Sequence, residues 1–511
     1  LSATIGTVLS WSVGLAIEGQ RFRAIAIDTS KLERFDCQQA GFTGKEPWQG
    51  VCGWLTVPED HFDPTNRNTI KLAVAVVRSP AKNPAADPIV YLEGGPGAAA
   101  VANTNILTTE LFAADVAQRD IVMIDQRGVG RSQPRLNCPE VSSFALTGLD
   151  QPRSDAAYMQ SYLAALRGCV DRLQRQGVNL AAYTSAQSAA DVVAVSQALG
   201  YRQINLYGLS YGSRLALTLI RDAGKSGYIR SAAIGGVYGP EANALEFPII
   251  LLERLEILFD TCAEAAACNA AYPDLRTRTF ALLARLNAQP VSIEVPIGRG
   301  EATRRTIANA NTLLMGLFGA LLNTGSIEQI PAKLAAAMQG DTTLLVEGVQ
   351  WQIWQLLLFD WGMNTAVQCQ EEFLLVTPVQ RSAVMANIPP IATGFTLRFP
   401  ESSPLLIDFC RQLGFQPRPS LENEPVGSDV PLLVISGRYD PFTPPTWADR
   451  ATAGFQNRYI YTLPAAGHDS ASAGTCPKSI VSAFFATPTQ TPDTRCLEQI
   501  QQPEFEINPP R

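Results

Sequence analysis

An apolar run, Ile204-Asn205-Leu206-Tyr207, leads straight into Gly208-Leu209-Ser210-Tyr211-Gly212, and a helical pattern from Ser213 to about Asp222 follows. The order imposes a strand, a sharp turn and then a helix. Glycines flank the serine because bulky side chains would clash with the neighbouring strand and helix in so tight a turn. A serine on such a turn is lifted clear of the sheet with its hydroxyl exposed, as a nucleophile must be.

A serine hydroxyl is a poor nucleophile near neutral pH and needs a base, usually a histidine held by a carboxylate. The chain has two histidines. His468 follows the apolar run Tyr459-Ile460-Tyr461-Thr462-Leu463, on a loop at the C-terminal end of a strand, where α/β enzymes gather their chemistry. His61 lies in the polar turn Pro58–Pro64 and reads as a solvated turn histidine. Pro431–Gly437 reads as a buried strand, and Arg438-Tyr439-Asp440-Pro441 follows it. Asp440 thus falls on a proline-fixed loop at a strand end, between serine and histidine in chain order. An Asx turn beside Pro441 is its structural alternative. Asp429 stands at the wrong end of that strand, and Asp469 adjoins the histidine too closely in sequence.

Acyl transfer also needs backbone N–H donors aimed where negative charge develops. One is expected from Tyr211, the residue after the serine. Pro88–Leu92 reads as a strand running into Glu93-Gly94-Gly95-Pro96-Gly97. Pro96 has no N–H, so Gly95 is the expected second donor. Ile121–Asp125 is a further strand, and the charged residues from Asp125 to Ser132 are expected to brace the loops by ion pairing. Neither a G-x-x-x-x-G-K-[ST] nor a G-x-G-x-x-G segment follows a strand, which argues against nucleotide binding.

The Gly94–Gly97 loop, the DQRGxGRS stretch at Asp125–Ser132, the elbow at Gly208–Ser213, the GxxDPxTPP loop at Gly437–Pro445 and Gly467-His468 occur in one order. In this the chain resembles the proline iminopeptidase and tripeptidyl aminopeptidase family of α/β hydrolases, from about Cys52 to His468. Cys52–Pro58 and a long insertion resemble the larger, secreted tripeptidyl aminopeptidase-like members. The resemblance implies an α/β-hydrolase fold, a mostly parallel sheet flanked by helices. It implies Ser210 as nucleophile, His468 as general base and later acid, Asp440 as its orienter, and Gly95 and Tyr211 as the oxyanion hole. It also implies a serine exopeptidase that removes short peptides or single residues from peptide N-termini, with cap carboxylates gripping the free amine. Cys369-Gln370-Glu371-Glu372 looks like the family's C-x-[DE] cap segment, so Glu371 is the expected anchor and Glu372 the second choice. Glu93 stands where the family most often has His or Asn; a carboxylate there either helps to hold the amine or faces solvent. The same triad cleaves esters, so a carboxylesterase is the alternative, and a catalytically silent binding module is the reading from another class.

Ser210 and Asp440 stand 230 positions apart, far more than two α/β units need. A cap is expected over residues 240–425, between a first core part at 37–239 and a second at 426–486. Its helical patterns are Leu245–Ala266, Asp274–Leu286, Thr312–Leu322 and Leu345–Leu358. Such a cap excludes water and limits substrate size. Residues 487–511 read as a tail lying on the surface. Ten cysteines, an even count without C-x-x-C, favour disulfides over metal. Sequence does not fix the connectivity; sequence-near pairing would join Cys37–Cys52, Cys138–Cys169, Cys262–Cys268, Cys369–Cys410 and Cys476–Cys496. Disulfides imply an oxidising compartment, so export is expected, secreted or periplasmic. Residues 1–17 resemble the remnant of a signal peptide, too short and too soon interrupted by Glu18 and Arg21 for a membrane span. A net charge of −7 argues against nucleic acid as a partner. Peptides with a free N-terminus are the expected partners, and no metal or organic cofactor is expected.

Overall fold

In the computed structural model, which describes residues 28–147, 149, 155–297 and 303–507, nine strands form one central sheet. Its strands come in chain order as β1 (Glu33–Arg34), β2 (Gln49–Pro58), β3 (Thr69–Arg78), β4 (Ala85–Leu92), β5 (Arg119–Ile124), β6 (Ile204–Leu209) and β7 (Ile229–Gly235). A separate antiparallel pair follows, β8 (Val291–Pro296) with β9 (Thr303–Ala308). Then come β10 (Gly427–Ser428), β11 (Leu432–Gly437), β12 (Gly454–Phe455) and β13 (Arg458–Leu463). The central sheet runs β1-β2-β3-β5-β4-β6-β7-β11-β13. Its first four strands pair antiparallel and every later pair is parallel.

The composition of the strands follows from this topology. A parallel strand covered by helices on both faces must be apolar on both, and β5 and β11 are buried along their whole length. One face carries Val90, Leu206 and Val434 against Leu215 and Leu219 of the helix Tyr211–Ala223. The other carries Ile89, Met123 and Leu433 against Ile480 and Phe484 of the helix Thr475–Ala486. Strand order reverses where β4 lies between β5 and β6. Ligand sites of open α/β sheets form outside the strand ends at such a switch point, and both the glycine loop and the elbow leave from it.

The inserted segment is mainly helical. Phe247–Glu264, Leu275–Ala288, Ala310–Leu322 and Thr343–Leu358 occupy the four expected stretches. Two features depart from expectation. The β8–β9 pair alternates Ile293 and Val295 inward with Ser292 and Glu294 outward, a period of two inside a helical region. The roof also recruits the helix Asp155–Arg175 from ahead of the elbow: Tyr162 meets Trp361 edge-on, ring centroids 5.9 Å apart. Trp351 packs with Phe318 and Phe399 in the cap interior.

All five expected disulfides are present: Cys37–Cys52, Cys138–Cys169, Cys262–Cys268, Cys369–Cys410 and Cys476–Cys496. The tail does more than lie on the surface. Phe505 is buried in the cap's apolar cluster, the Glu506 N–H donates to the Glu328 carbonyl, and the Tyr272 hydroxyl donates to the Glu506 carbonyl. Among the described residues no helix is long and apolar enough to cross a membrane. The expected signal-peptide remnant, residues 1–17, lies outside the described residues.

Candidate active site

The elbow joins β6 to the helix Tyr211–Ala223, with Ser210 between them at φ 56° and ψ −126°. A non-glycine residue held at positive φ is strained and persists only where its surroundings over-determine it. Here the Ser210 N–H donates to the Gly235 carbonyl at 3.0 Å. The neighbouring glycines make the crossing possible. A Cβ on Gly212 would lie 1.9 Å from the Leu92 carbonyl oxygen, and one on Gly208 would lie 2.4 Å from that of Gly212.

His468 sits beside this turn. Its Nδ1 is 2.8 Å from Asp440 Oδ2, and Asp440 is fully buried. Asp440 also accepts the Phe442 and Thr443 N–H groups at 2.8 and 2.9 Å, and the Thr443 hydroxyl at 2.6 Å. These three donors fix the carboxylate, and the carboxylate fixes the imidazole with Nε2 turned to the other side of the ring. The ring lies against the Ser210 turn: a Cβ on Gly236, next to the carbonyl that holds the Ser210 N–H, would lie 2.8 Å from His468 Cε1. Burial depresses the His468 pKa, but the Asp440 charge and hydrogen bond, with Asp469 behind them, outweigh it and leave the pKa above its ordinary value. The His468 N–H donates to Leu322 O at 2.9 Å, so the loop is docked on the cap.

The glycine loop covers the serine from above. A Cβ on Gly94 would lie 2.9 Å from Ser210 Cβ. The Gly94 N–H is already given to the Glu93 carboxylate at 2.8 Å, and Pro96 has none. That leaves Gly95, at φ +113°, and Gly97 as the loop residues with an N–H, and Gly95 is the expected donor. Tyr211 is the first residue of its helix, where the N–H has no acceptor within the helix.

The sequence-expected carboxylates separate into two groups. Glu93 accepts Gly94 N–H and the Tyr91 hydroxyl, and so braces the loop apart from the other two. Glu371 and Glu372 are buried and line a small cavity with Pro96, Tyr211, Arg214, Tyr238, Val367 and Gln368. Glu371 accepts the Ser185 hydroxyl at 2.6 Å and lies 3.3 Å from the Arg214 guanidinium. Glu372 accepts the Tyr238 hydroxyl at 2.6 Å and the Ala244 N–H. Burial pushes the pKa of both above the ordinary range, against Arg214 and these hydrogen bonds.

A third carboxylate, Glu401, stands behind Gln368 and escaped the sequence reading. It is 1% exposed and accepts amide N–H groups of Gln355, Asn364 and Gln368 at 2.9, 3.1 and 3.3 Å. Burial, with Glu372 adding repulsion, pushes its pKa up to about 7 despite these donors. No motif marks it; a lone Glu after Phe399-Pro400 gives no signal without the fold.

The charged stretch after β5 braces the loops as expected. Asp125 accepts the Val101 and Arg131 N–H groups at 2.8 Å each, and Arg127 pairs with both oxygens of Asp191. His61 differs from expectation: its Nε2 lies 2.8 Å from the same Asp191 and its side chain is 15% exposed, so the turn is tied to the core.

Family models match two segments of the chain, the α/β hydrolase fold over residues 87–246 and TAP-like protein over residues 402–496. The chain is 27% identical to serine protease Hip1 of Mycobacterium tuberculosis, over 47% of this chain and 46% of that protein. It is 28% identical to a tripeptidyl aminopeptidase of Streptomyces coelicolor, over 45% of this chain and 42% of that one. With a carboxylesterase B of Mycobacterium tuberculosis it shares 29% identity over half of each chain. The matched part thus spans about half the length of these curated relatives. By its sheet order, its elbow and both matched segments, the chain is an α/β hydrolase with a TAP-like C-terminal segment.

Proposed function

We propose that the protein is an exported serine exopeptidase that removes single residues or short peptides from the free N-termini of peptides. The observation that carries this reading is the small acidic cavity beside the elbow. It has Pro96 of the glycine loop and Tyr211 of the elbow in its wall, and Glu371 and Glu372 facing them. Arg214 is the cation that faces Glu371 and Glu372, 3.3 Å from Glu371, while Glu401 behind Gln368 is held by amide N–H groups. A buried carboxylate without a cation is costly, and a substrate's α-ammonium entering the cavity supplies one. On this ground Glu372, with Glu401 behind it, is the better amine anchor and Glu371 the second.

With the amine held, Ser210 Oγ attacks the scissile carbonyl carbon as His468 Nε2 takes its proton. The oxyanion forms against the Gly95 and Tyr211 N–H groups. His468 then gives the proton to the leaving amine, the C–N bond breaks, and an acyl-enzyme remains. Water attacks the ester carbonyl with His468 again as base; the Ser210 C–O bond breaks and the proton returns to Oγ. The peptidase names of two relatives support this chemistry. The five disulfides support an oxidising compartment.

The carboxylesterase name of another relative favours ester hydrolysis as the second reading, since the same serine chemistry serves both. Hydrolysis of Ala-Ala-Pro-p-nitroanilide and of proline p-nitroanilide, each free and N-acetylated, separates them, with Ser210→Ala as control. Release from free-amine substrates alone, lost in the control, is the expected result. Equal turnover of both forms, or turnover of a short-chain p-nitrophenyl ester alone, overturns the exopeptidase reading.

A further inference from the structure

The glycine loop is held at four points. The Gln126 amide donates to Glu93 O at 2.9 Å, and the Glu93 carboxylate takes Gly94 N–H at 2.8 Å. The Asp360 N–H donates to Gly97 O at 2.9 Å, and the Asn364 amide donates to Pro96 O at 3.1 Å. The last two anchors come from the cap. Asn364 lies on the helix Trp361–Glu371, which also carries Glu371 and Gln368.

Asn364 differs from the other anchors in what else it holds. A side-chain amide nitrogen has two N–H groups. Here one reaches Pro96 O and the other reaches Glu401 Oε1, also at 3.1 Å. Asn364 is 1% exposed, so water does not stand in for either partner. Pro96 follows Gly95 directly, so its carbonyl lies two peptide units from the Gly94–Gly95 peptide that carries the expected oxyanion donor, and fixing that carbonyl limits how far the loop between them can turn. One amide thus links the acidic cluster to the part of the loop that meets developing charge.

We infer that Asn364 is a positioning residue that couples the bound amine to the oxyanion loop, so that a substrate's N-terminus promotes turnover as well as binding. The inference rests on the exopeptidase reading. When a cation enters beside Glu372, the charge of Glu401 is drawn toward it, and Asn364 follows with its other N–H still on Pro96 O. Correct substrates then complete the oxyanion hole, and acetylated ones leave it loose. Small displacements at a reacting centre cost large factors in rate, about 10–100-fold for a misplacement near 1 Å.

The test is steady-state kinetics on one tripeptide p-nitroanilide, free and N-acetylated, for the wild type, Asn364→Leu and Asn364→Ser, with thermal melts alongside. In the wild type the free amine should raise kcat as well as lower KM. In both variants kcat on the free-amine substrate should fall about 10–100-fold. The free-to-acetylated ratio of kcat should collapse toward one, while the ratio of KM persists because the glutamates still bind the amine. Equal losses on both substrates would show a merely structural residue and overturn the coupling, as would a change confined to KM. A wild type indifferent to acetylation overturns the exopeptidase reading and the coupling with it. Asn364→Ser, smaller but still polar and too short to span both partners, decides the matter if the leucine variant does not fold.

Discussion

Glu401 holds the site's most informative titration. Its folded pKa is about 7 against an ordinary value of 4.5, and burial is the main cause. Between those values the folded protein keeps a proton that the unfolded chain has released, so stability falls as pH rises from about 4.5 toward 7. Glu401→Gln removes that loss. At pH 8 the variant should be more stable than the wild type, on the order of 1–3 kcal/mol, and at pH 5 the two should be close. It should also lose its preference for a free amine. Thermal melts across pH 5 to 8 check the first point, and an unchanged gap between variant and wild type over that range would sink it. Activity on free-amine substrates should rise with pH over the same window. Glu401 must ionise to face a cation, and His468, whose pKa Asp440 holds up against burial, must be neutral to act as base. Ser210, Asp440 and His468 were legible in the sequence because each lies on a loop whose chemistry is local: a glycine-flanked turn, a proline-fixed strand end, a Gly-His pair. Glu401 was not, since Gln355, Asn364 and Gln368 reach it only through packing.

At the scale of the element, the elbow is a place where two backbones nearly touch. Gly212 is the second residue of the helix that follows Ser210, and its missing side chain lets the Leu92 carbonyl approach from the end of β4. Gly212→Ala should therefore cost about 4 kcal/mol or more, or abolish folding, because both obstacles at that point are backbone and cannot rotate away. A urea titration measures it, and a loss under 1 kcal/mol would mean that the strand and helix part more easily than their contacts suggest. Helices in the cap were legible for the usual reason, apolar residues at helical spacing over long stretches. The β8–β9 pair was not, because six-residue alternations are short and stand among helices that bury the same residue types. The recruitment of Asp155–Arg175 into the roof was equally hidden, since an amphipathic helix shows which face it buries but not against what.

The whole molecule is a core and a roof joined at many points. The cysteine count pointed to disulfides but the sequence could not fix their connectivity; the structure joins sequence neighbours, the pairs whose loops close at the least entropic cost. The tail's destination was not readable: Phe505 is one aromatic residue in a polar, proline-rich stretch, and its partners come from the cap. Beyond the two chain crossings, the cap is bound by His468 N–H on Leu322 O, by the glycine loop through Asp360 and Asn364, and by the tail. On the exopeptidase reading, a roof held at these points should not slide to suit longer or shorter acyl fragments. Mass spectrometry of digests of unrelated peptides should show one fragment length released at every step, and a ladder of mixed lengths from a single peptide would count against it. The tail strap then acquires a meaning beyond stability. On the exopeptidase reading, Phe505 and Glu506, by fastening the tail to the cap, help to hold the distance between the acidic cavity and Ser210 fixed, as the gap on a ruler is fixed.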